Sequence, residues 1–107
     1  MPRIITVAAA QLGPIARSES RAQVVDRMLA LMHEAARHGC DLVVFPELAL
    51  TTFFPRWYLP EQDDIDAFFE REMPGHQTQR LFDAAAKLGL GFYLGYAELA
   101  EQEGRTR

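Results

Sequence analysis

Asp41-Leu-Val-Val-Phe-Pro-Glu47 is the stretch on which the fold turns. Leu42 to Phe45 form a continuous apolar run, the pattern of a short strand buried on both faces. Pro46 has no backbone donor, so a central ladder ends there. Glu47 then stands at the C-terminal edge of a parallel sheet, the edge at which open α/β folds place their chemistry. A carboxylate there, partly screened by the aromatic segment that follows, is a candidate general base. The alternative is an acid that caps a following helix or faces solvent.

Working outward, Ile4 to Leu12 reads as a first strand ended by Gly13-Pro14, followed by a loop over Ile15 to Glu19. Ser18 or Ser20 is placed to cap a helix. From Ala22 to His38 the apolar residues Val25, Met28, Leu29, Met32 and Ala36 fall on one helical face, and Gly39 sits where a left-handed C-cap belongs. Residues 4–45 therefore read as one βαβ unit with the right-handed crossover of parallel neighbours. Leu48 to Leu59, rich in aromatics, reads as an ordered loop. Asp63 to Met73 is predicted as a helix through Ile65, Phe68, Phe69 and Met73, broken by Pro74-Gly75. A further helix is predicted over Thr78 to Leu88, with Leu81, Ala84, Ala85 and Leu88 inward and Gly89 closing it. Gly91 to Leu99 reads as a third strand, Glu101 to Gly104 as a turn, and Arg105-Thr-Arg107 as the start of a fourth strand. Three strands with two or three helices leave an unpaired edge and one uncovered face, so the chain reads as the N-terminal portion of something larger.

Composition narrows the function classes. The 107 residues are 49% hydrophobic and 24% charged, which fits one globular domain at most. A net charge of −4 without a basic patch argues against nucleic acid as a partner. No apolar run approaches the roughly 18 residues of a membrane span, and the N-terminus carries no signal-peptide pattern. A single cysteine excludes an internal disulfide and fits a cytoplasmic location.

The remaining reactive side chains are weighed by position. Cys40 precedes Glu47 along the strand and, at about 3.3 Å per residue, lies roughly 20 Å away at the opposite edge. It reads as a small apolar residue beside the helix C-cap. Lys87, the only lysine, closes a helix running antiparallel to the strands and belongs at that same far edge, where a cation complements the helix dipole. His33 and His38 are five apart, about 140° round a helix, and miss the zinc-protease spacing. His76 follows a turn with no neighbouring ligand. Gly89, Gly91 and Gly95 lack the order of a phosphate loop, and Gly95 marks a close backbone approach or a bulge. Phe53, Phe54, Trp57 and Tyr58 either rim a pocket beside Glu47 or fill the core.

Val44-Phe-Pro-Glu-Leu48 resembles the glutamate motif of the nitrilase superfamily of carbon–nitrogen hydrolases. The flanking text, Gln11 to Arg17, the thirteen residues Phe45 to Trp57, Glu72 to Gly75 and Gly91 to Leu99, is most similar to the N-carbamoyl-D-amino acid hydrolases. The likeness runs from about Ile4 to Leu99. It implies an α-β-β-α sandwich, here incomplete, with residues 1–107 as the N-terminal portion of a single hydrolase domain whose parent is a homodimer or homotetramer. It further implies a Glu–Lys–Cys triad, no metal and no organic cofactor. Glu47 matches the general base. The cysteine attacks the ureido carbonyl of a small-molecule N-carbamoyl-D-amino acid, the lysine stabilises the oxyanion, and D-amino acid, ammonia and carbon dioxide result. The family's lysine, cysteine and carboxylate-recognising arginines fall on later text, so the chain alone is expected to be inactive. Phe53, Phe54 and Trp57 remain candidates for substrate contact. A β-ureidopropionase, an aliphatic amidase and a non-catalytic remnant that pairs with intact subunits are the competing readings.

Overall fold

A computed structural model describes residues 3–99 and the backbone of 101–102 and 105–106. Strands β1 (Val7–Ala9), β2 (Leu42–Val44) and β3 (Gly91–Tyr93) form a parallel sheet in the order β1-β2-β3. Helix α1 (Arg21–Arg37) links β1 to β2 and α3 (Gln79–Leu88) precedes β3, while a 3₁₀ turn (Phe54–Arg56) and the five-residue α2 (Gln62–Asp66) lie between β2 and α3. A separate antiparallel pair joins β4 (Glu101–Gln102) to β5 (Arg105–Thr106). The turn expected over Glu101 to Gly104 thus begins with a strand, and its residues 103–104, like Arg107, lie outside the described residues.

The βαβ unit forms where the local signals place it. Ser20 is the N-cap of α1 in a capping box: its hydroxyl accepts from the Gln23 N–H at 3.2 Å, and the Gln23 side chain accepts from the Ser20 N–H at 2.8 Å. Gly39 follows the helix at φ 73° and Gly89 caps α3 at φ 68°, conformations that cost an L side chain energy. Helix α1 buries Val24, Val25, Met28, Met32 and Ala35, a stripe broader than periodicity indicates because the helix packs against α3 and shares one core cluster with Val43 and Phe45 of the sheet side. Leu29 and Ala36 are only partly buried at its margin.

Register decides which sheet face is covered. Ala8, Val43 and Phe92 are cross-strand partners, and Phe92 meets Phe82 of α3 edge-on at 5.1 Å. Their face is the helix-covered one, with Val43 and Phe45 buried. The partners on the other face, Val7 and Leu42 with Gly91, and Val44 with Tyr93, are not buried; Val7 is 49% and Tyr93 61% exposed. The expectation that β2 is buried on both faces therefore holds for one face among the described residues. The expectation of an uncovered face holds.

The helix predicted over Asp63 to Met73 is shorter, ending at Asp66, because non-local partners claim the residues beyond it. Phe68 stacks on Phe54 at 5.2 Å with the planes 5° apart, and Phe69 lies 5.5 Å from the same ring. The Glu70 N–H donates to the Ala97 carbonyl at 2.7 Å and the Glu70 carbonyl accepts from Leu99 at 2.8 Å, giving a parallel bridge to Glu98. The Glu70 carboxylate, 9% exposed as a residue, accepts from Arg21 Nε at 2.6 Å, and Arg21 Nη2 donates to the Ala67 carbonyl at 2.7 Å. These bonds satisfy backbone groups that a longer helix would have paired internally. The strand expected over Gly91 to Leu99 likewise leaves the sheet after Tyr93 and runs beside the residues following β2 and then Glu70.

A second ion pair shapes the loop after β1. Arg27 of α1 reaches back to donate to the carbonyls of Leu12 and Pro14, and its Nη1 pairs with Glu19 at 3.0 Å. The Glu19 carboxyl is held below its ordinary value of 4.5, first by the Ala16 N–H and next by the Arg27 guanidinium, both of which favour the ionised form. A lowered folded-state value contributes stability that is fully present above about pH 4.5, the ordinary value, and is lost as pH falls from there through the lowered one.

Two outcomes are expected. Residues 1–107 expressed alone associate and lack a cooperative melt, because apolar surface at Ile5, Val7 and Tyr93 faces water; a monomeric elution profile with a sharp transition contradicts this. In the complete protein, Glu19→Gln flattens the loss of stability on the acid side of pH 4.5, and unchanged acid-unfolding curves contradict that.

Candidate active site

The candidate site grows from the point where β2 stops. The Phe45 N–H donates to the Tyr93 carbonyl at 3.0 Å, the last ladder-like bond before Pro46, and the chain then turns over residues 47–50. Ala49 N–H donates to the Gly95 carbonyl at 3.0 Å, closing the turn against the departing end of β3. Glu47 is the first residue of this turn and is exposed. Its neighbour Leu48 has φ 49°, left-handed backbone that a side chain of this size rarely adopts and that costs of order 1–2 kcal/mol. Strain of this kind persists only where surrounding contacts impose it, and it clusters at functional positions.

Gly95 supplies the contact. A Cβ built there would stand 3.3 Å from Glu47 Cα, 3.5 Å from Leu48 N and 3.6 Å from the Pro46 carbonyl. Of the two readings for Gly95, close backbone approach is the one observed. The backbone carrying the acid therefore rests directly on the backbone of residue 95.

Glu47 opens on a cavity of about 130 Å³ whose walls come from three places. Leu12, Gly13, Pro14 and Ile15 come from the loop that Arg27 and Glu19 hold, Pro46 to Ala49 from the turn itself, and Thr51, Phe53 and Arg56 from the segment that follows. The wall mixes apolar side chains with the Thr51 hydroxyl, one carboxylate and one guanidinium. Phe53 is the aromatic candidate that lines it. Phe54 sits instead in the cluster with Phe68 and Phe69, where it packs rather than faces the cavity. Trp57 is 44% exposed and carries the Arg17 guanidinium 5.6 Å from its ring centroid, also outside the cavity wall, and Tyr58 is exposed.

Cys40 and Lys87 are not brought to Glu47. Cys40 is half-buried and lines a separate hollow of about 410 Å³ between the β1 edge and α1, together with His38 and Glu34. Lys87 is exposed in the last turn of α3, with Gly89 and Gly91 leading from there to the start of β3. Both sit toward the N-terminal ends of the strands, whereas Glu47 follows the C-terminal end of β2. Among the described residues no group of three or more His, Cys, Asp or Glu side chains could hold a metal ion, and no helix is long and apolar enough to cross a membrane. Sequence reasoning missed Arg56, although it is the single cation in the block Phe45 to Trp57, and missed the strain at Leu48, for which the sequence offers no signal.

The family model for carbon-nitrogen hydrolases matches residues 6–106. The chain belongs to the carbon-nitrogen hydrolase family. Its parallel sheet, with helices on one face, is consistent with part of the nitrilase-like fold. A nitrilase of Pseudomonas syringae pv. syringae (strain B728a) is 31% identical over 83 residues, 69% of this chain and 24% of that protein. An aliphatic nitrilase of Rhodococcus rhodochrous is 31% identical over 99 residues, 86% of this chain and 26% of that protein. The chain thus spans about a quarter of the length of these curated relatives.

If Gly95 supports the acid, enlarging it displaces Glu47 by the few tenths of an ångström that the contact demands. If Glu47 is the general base, Gly95→Ala in the complete protein is expected to lower kcat about ten-fold and Gly95→Val more, since displacement of a catalytic group by about 1 Å costs on the order of 100-fold. Steady-state rates for both variants that equal the unsubstituted enzyme contradict the supporting role.

Proposed function

We propose that the chain is the N-terminal part of a single hydrolase domain whose activity is the hydrolysis of N-carbamoyl-D-amino acids, with Glu47 as general base. The observation that carries this reading is the placement of Glu47, the carboxylate of the Phe45-Pro-Glu47 motif, on a strained turn at the C-terminal end of the central strand and at the mouth of a cavity. The specific block Phe45 to Trp57 points to the carbamoyl substrate, and membership of the family supports hydrolysis of a carbon–nitrogen bond.

The chemistry follows from what an exposed carboxylate at a cavity mouth can do. Glu47 takes the proton of a thiol, and the thiolate adds to the ureido carbonyl. A lysine ammonium offsets the charge that develops on the carbonyl oxygen. The proton held by Glu47 passes to the departing nitrogen as ammonia leaves. Water then cleaves the thioester with Glu47 again as base, and the N-carboxy amino acid formed loses carbon dioxide to give the D-amino acid. Cys40 and Lys87 do not serve, so the thiol and the amine come from other residues of the complete protein. Such a protein works on a small molecule, as a homodimer or homotetramer in the cytoplasm, without a metal or organic cofactor.

The relatives favour a second reading. Two nitrilases at 31% identity make an aliphatic nitrile an alternative substrate for the same acid and thiol. Release of D-amino acid from N-carbamoyl-D-amino acids by the complete protein, with no ammonia from aliphatic nitriles, ureidopropionate or simple amides, is the expected result. The opposite pattern overturns the carbamoyl assignment. Glu47→Gln is expected to keep the fold and reduce turnover by about 10²–10⁴, the range for a lost general base; turnover close to the unsubstituted rate refutes the role of Glu47.

A further inference from the structure

The loop that walls the Glu47 cavity opposite the turn is not held by its own backbone. Among the described residues no backbone–backbone hydrogen bond involves residues 12–15. Gly13 stands in this loop at φ 75° and has the widest backbone freedom of any residue type. Burial of Leu12 anchors the start, and Ile15 packs at the margin of the core. The polar tether comes from α1. Arg27 Nη2 donates to the Leu12 carbonyl, and to the Pro14 carbonyl at 3.2 Å, so that it brackets Gly13. Its Nη1 donates to both Glu19 carboxylate oxygens, at 3.0 and 3.2 Å. Glu19 in turn accepts from the Ala16 N–H at 2.8 Å. One guanidinium, with the carboxylate that orients it, therefore holds the loop on both sides of Gly13 and again at Ala16. Leu12, Gly13, Pro14 and Ile15 line the cavity, whereas Arg27 lies outside its wall.

We propose that Arg27 is a positioning residue: by fixing the Leu12–Ile15 loop it sets the room that the Glu47 cavity leaves for the side chain of the substrate. The inference rests on the reading of Glu47 as general base and deepens it, by naming what limits substrate size. The cavity measures only about 130 Å³, so a small shift of one wall changes what fits. The two walls do not yield equally. The turn that carries Glu47 rests on the backbone of residue 95, whereas the Leu12–Ile15 loop depends on a side chain. Without the guanidinium, the Leu12 and Pro14 carbonyls turn to water for their hydrogen bonds, and that wall recedes. A receding wall admits bulk and loses its contact with a small side chain. The planar fork matters here, because its fixed donor directions reach two carbonyls and a carboxylate at once. A lysine ammonium on its flexible stem does not reproduce that geometry.

The test measures kcat/KM of the complete enzyme for N-carbamoyl-D-phenylalanine and for N-carbamoyl-D-alanine and takes their ratio. Loss of folded enzyme lowers both values together and leaves the ratio unchanged, so the ratio reads the shape of the cavity rather than stability. Arg27→Met keeps an unbranched side chain at a place where 32% of the side chain is exposed, and removes every donor. It is expected to shift the ratio towards the phenylalanine substrate by at least about five-fold, well within what pocket contacts discriminate. Arg27→Lys shifts it in the same direction by less. A ratio within about two-fold of the unsubstituted enzyme in Arg27→Met, or a shift towards alanine, overturns the role of Arg27. If the methionine variant yields no soluble enzyme, the lysine variant decides alone, and an unchanged ratio in it overturns the role. Either failure leaves Glu47 standing, provided Glu47→Gln abolishes turnover of both substrates. If the unsubstituted enzyme acts on neither carbamoyl substrate, or Glu47→Gln remains active, the underlying reading fails and the present inference with it.

Discussion

The parallel pairing of β2 with both of its neighbours is the constraint on which the remaining structure depends. Val43 lies in register between Ala8 and Phe92, buried beneath α1 and α3, so the strand cannot slide without exchanging a buried face for an uncovered one. Asp41 fastens its start. The Asp41 N–H donates to the Thr6 carbonyl at 2.7 Å, its carboxylate accepts from the Thr6 N–H at 2.8 Å, and its carbonyl accepts from Gly91 at 2.9 Å. With register fixed at that end, the length of the apolar run sets where Pro46 interrupts pairing and hence where Glu47 emerges. The location of the acid is thus a counting result, one residue past the proline that stops the ladder.

Position along the strand does not by itself give orientation. The turn after Glu47 is shaped by the bond from Ala49 to Gly95 and by the contact of residue 95 with the backbone of Pro46 to Leu48, which together hold Leu48 in left-handed conformation. Arg27 shapes the opposite wall through the carbonyls of Leu12 and Pro14. The cavity beside the acid is therefore assembled from three separate stretches of chain, tied together by a helix side chain and a glycine.

What was legible in the sequence is what local chemistry decides. Ser20 with Gln23 starts α1, Gly39 and Gly89 end helices, and the apolar run with Pro46 defines β2, all within a few residues of each other. The uncovered sheet face and the separation of Cys40 and Lys87 from Glu47 followed from the same strand geometry. Distant partners decide the rest. Nothing near Phe68 announces that it will stack on Phe54, nor does the text around Glu70 announce Arg21 and Ala97, so periodicity alone predicts a helix longer than the one that forms. The aromatic block reads as one feature because its composition is uniform. Its members part company only in three dimensions, Phe53 to the cavity, Phe54 to a stack and Trp57 to Arg17.

The buttress at residue 95 carries a consequence for how the site comes into being. Glu47 and Gly95 are separated by 95 − 47 = 48 positions, yet one backbone rests on the other. At a translation rate of about 5–20 residues per second, the acid leaves the ribosome on the order of 2–10 s before the surface that shapes it. During that interval the nascent βαβ segment possesses its carboxylate but not the turn that aims it. The turn at this position consequently takes its shape only once the chain has been made through residue 95, well after its own residues have emerged.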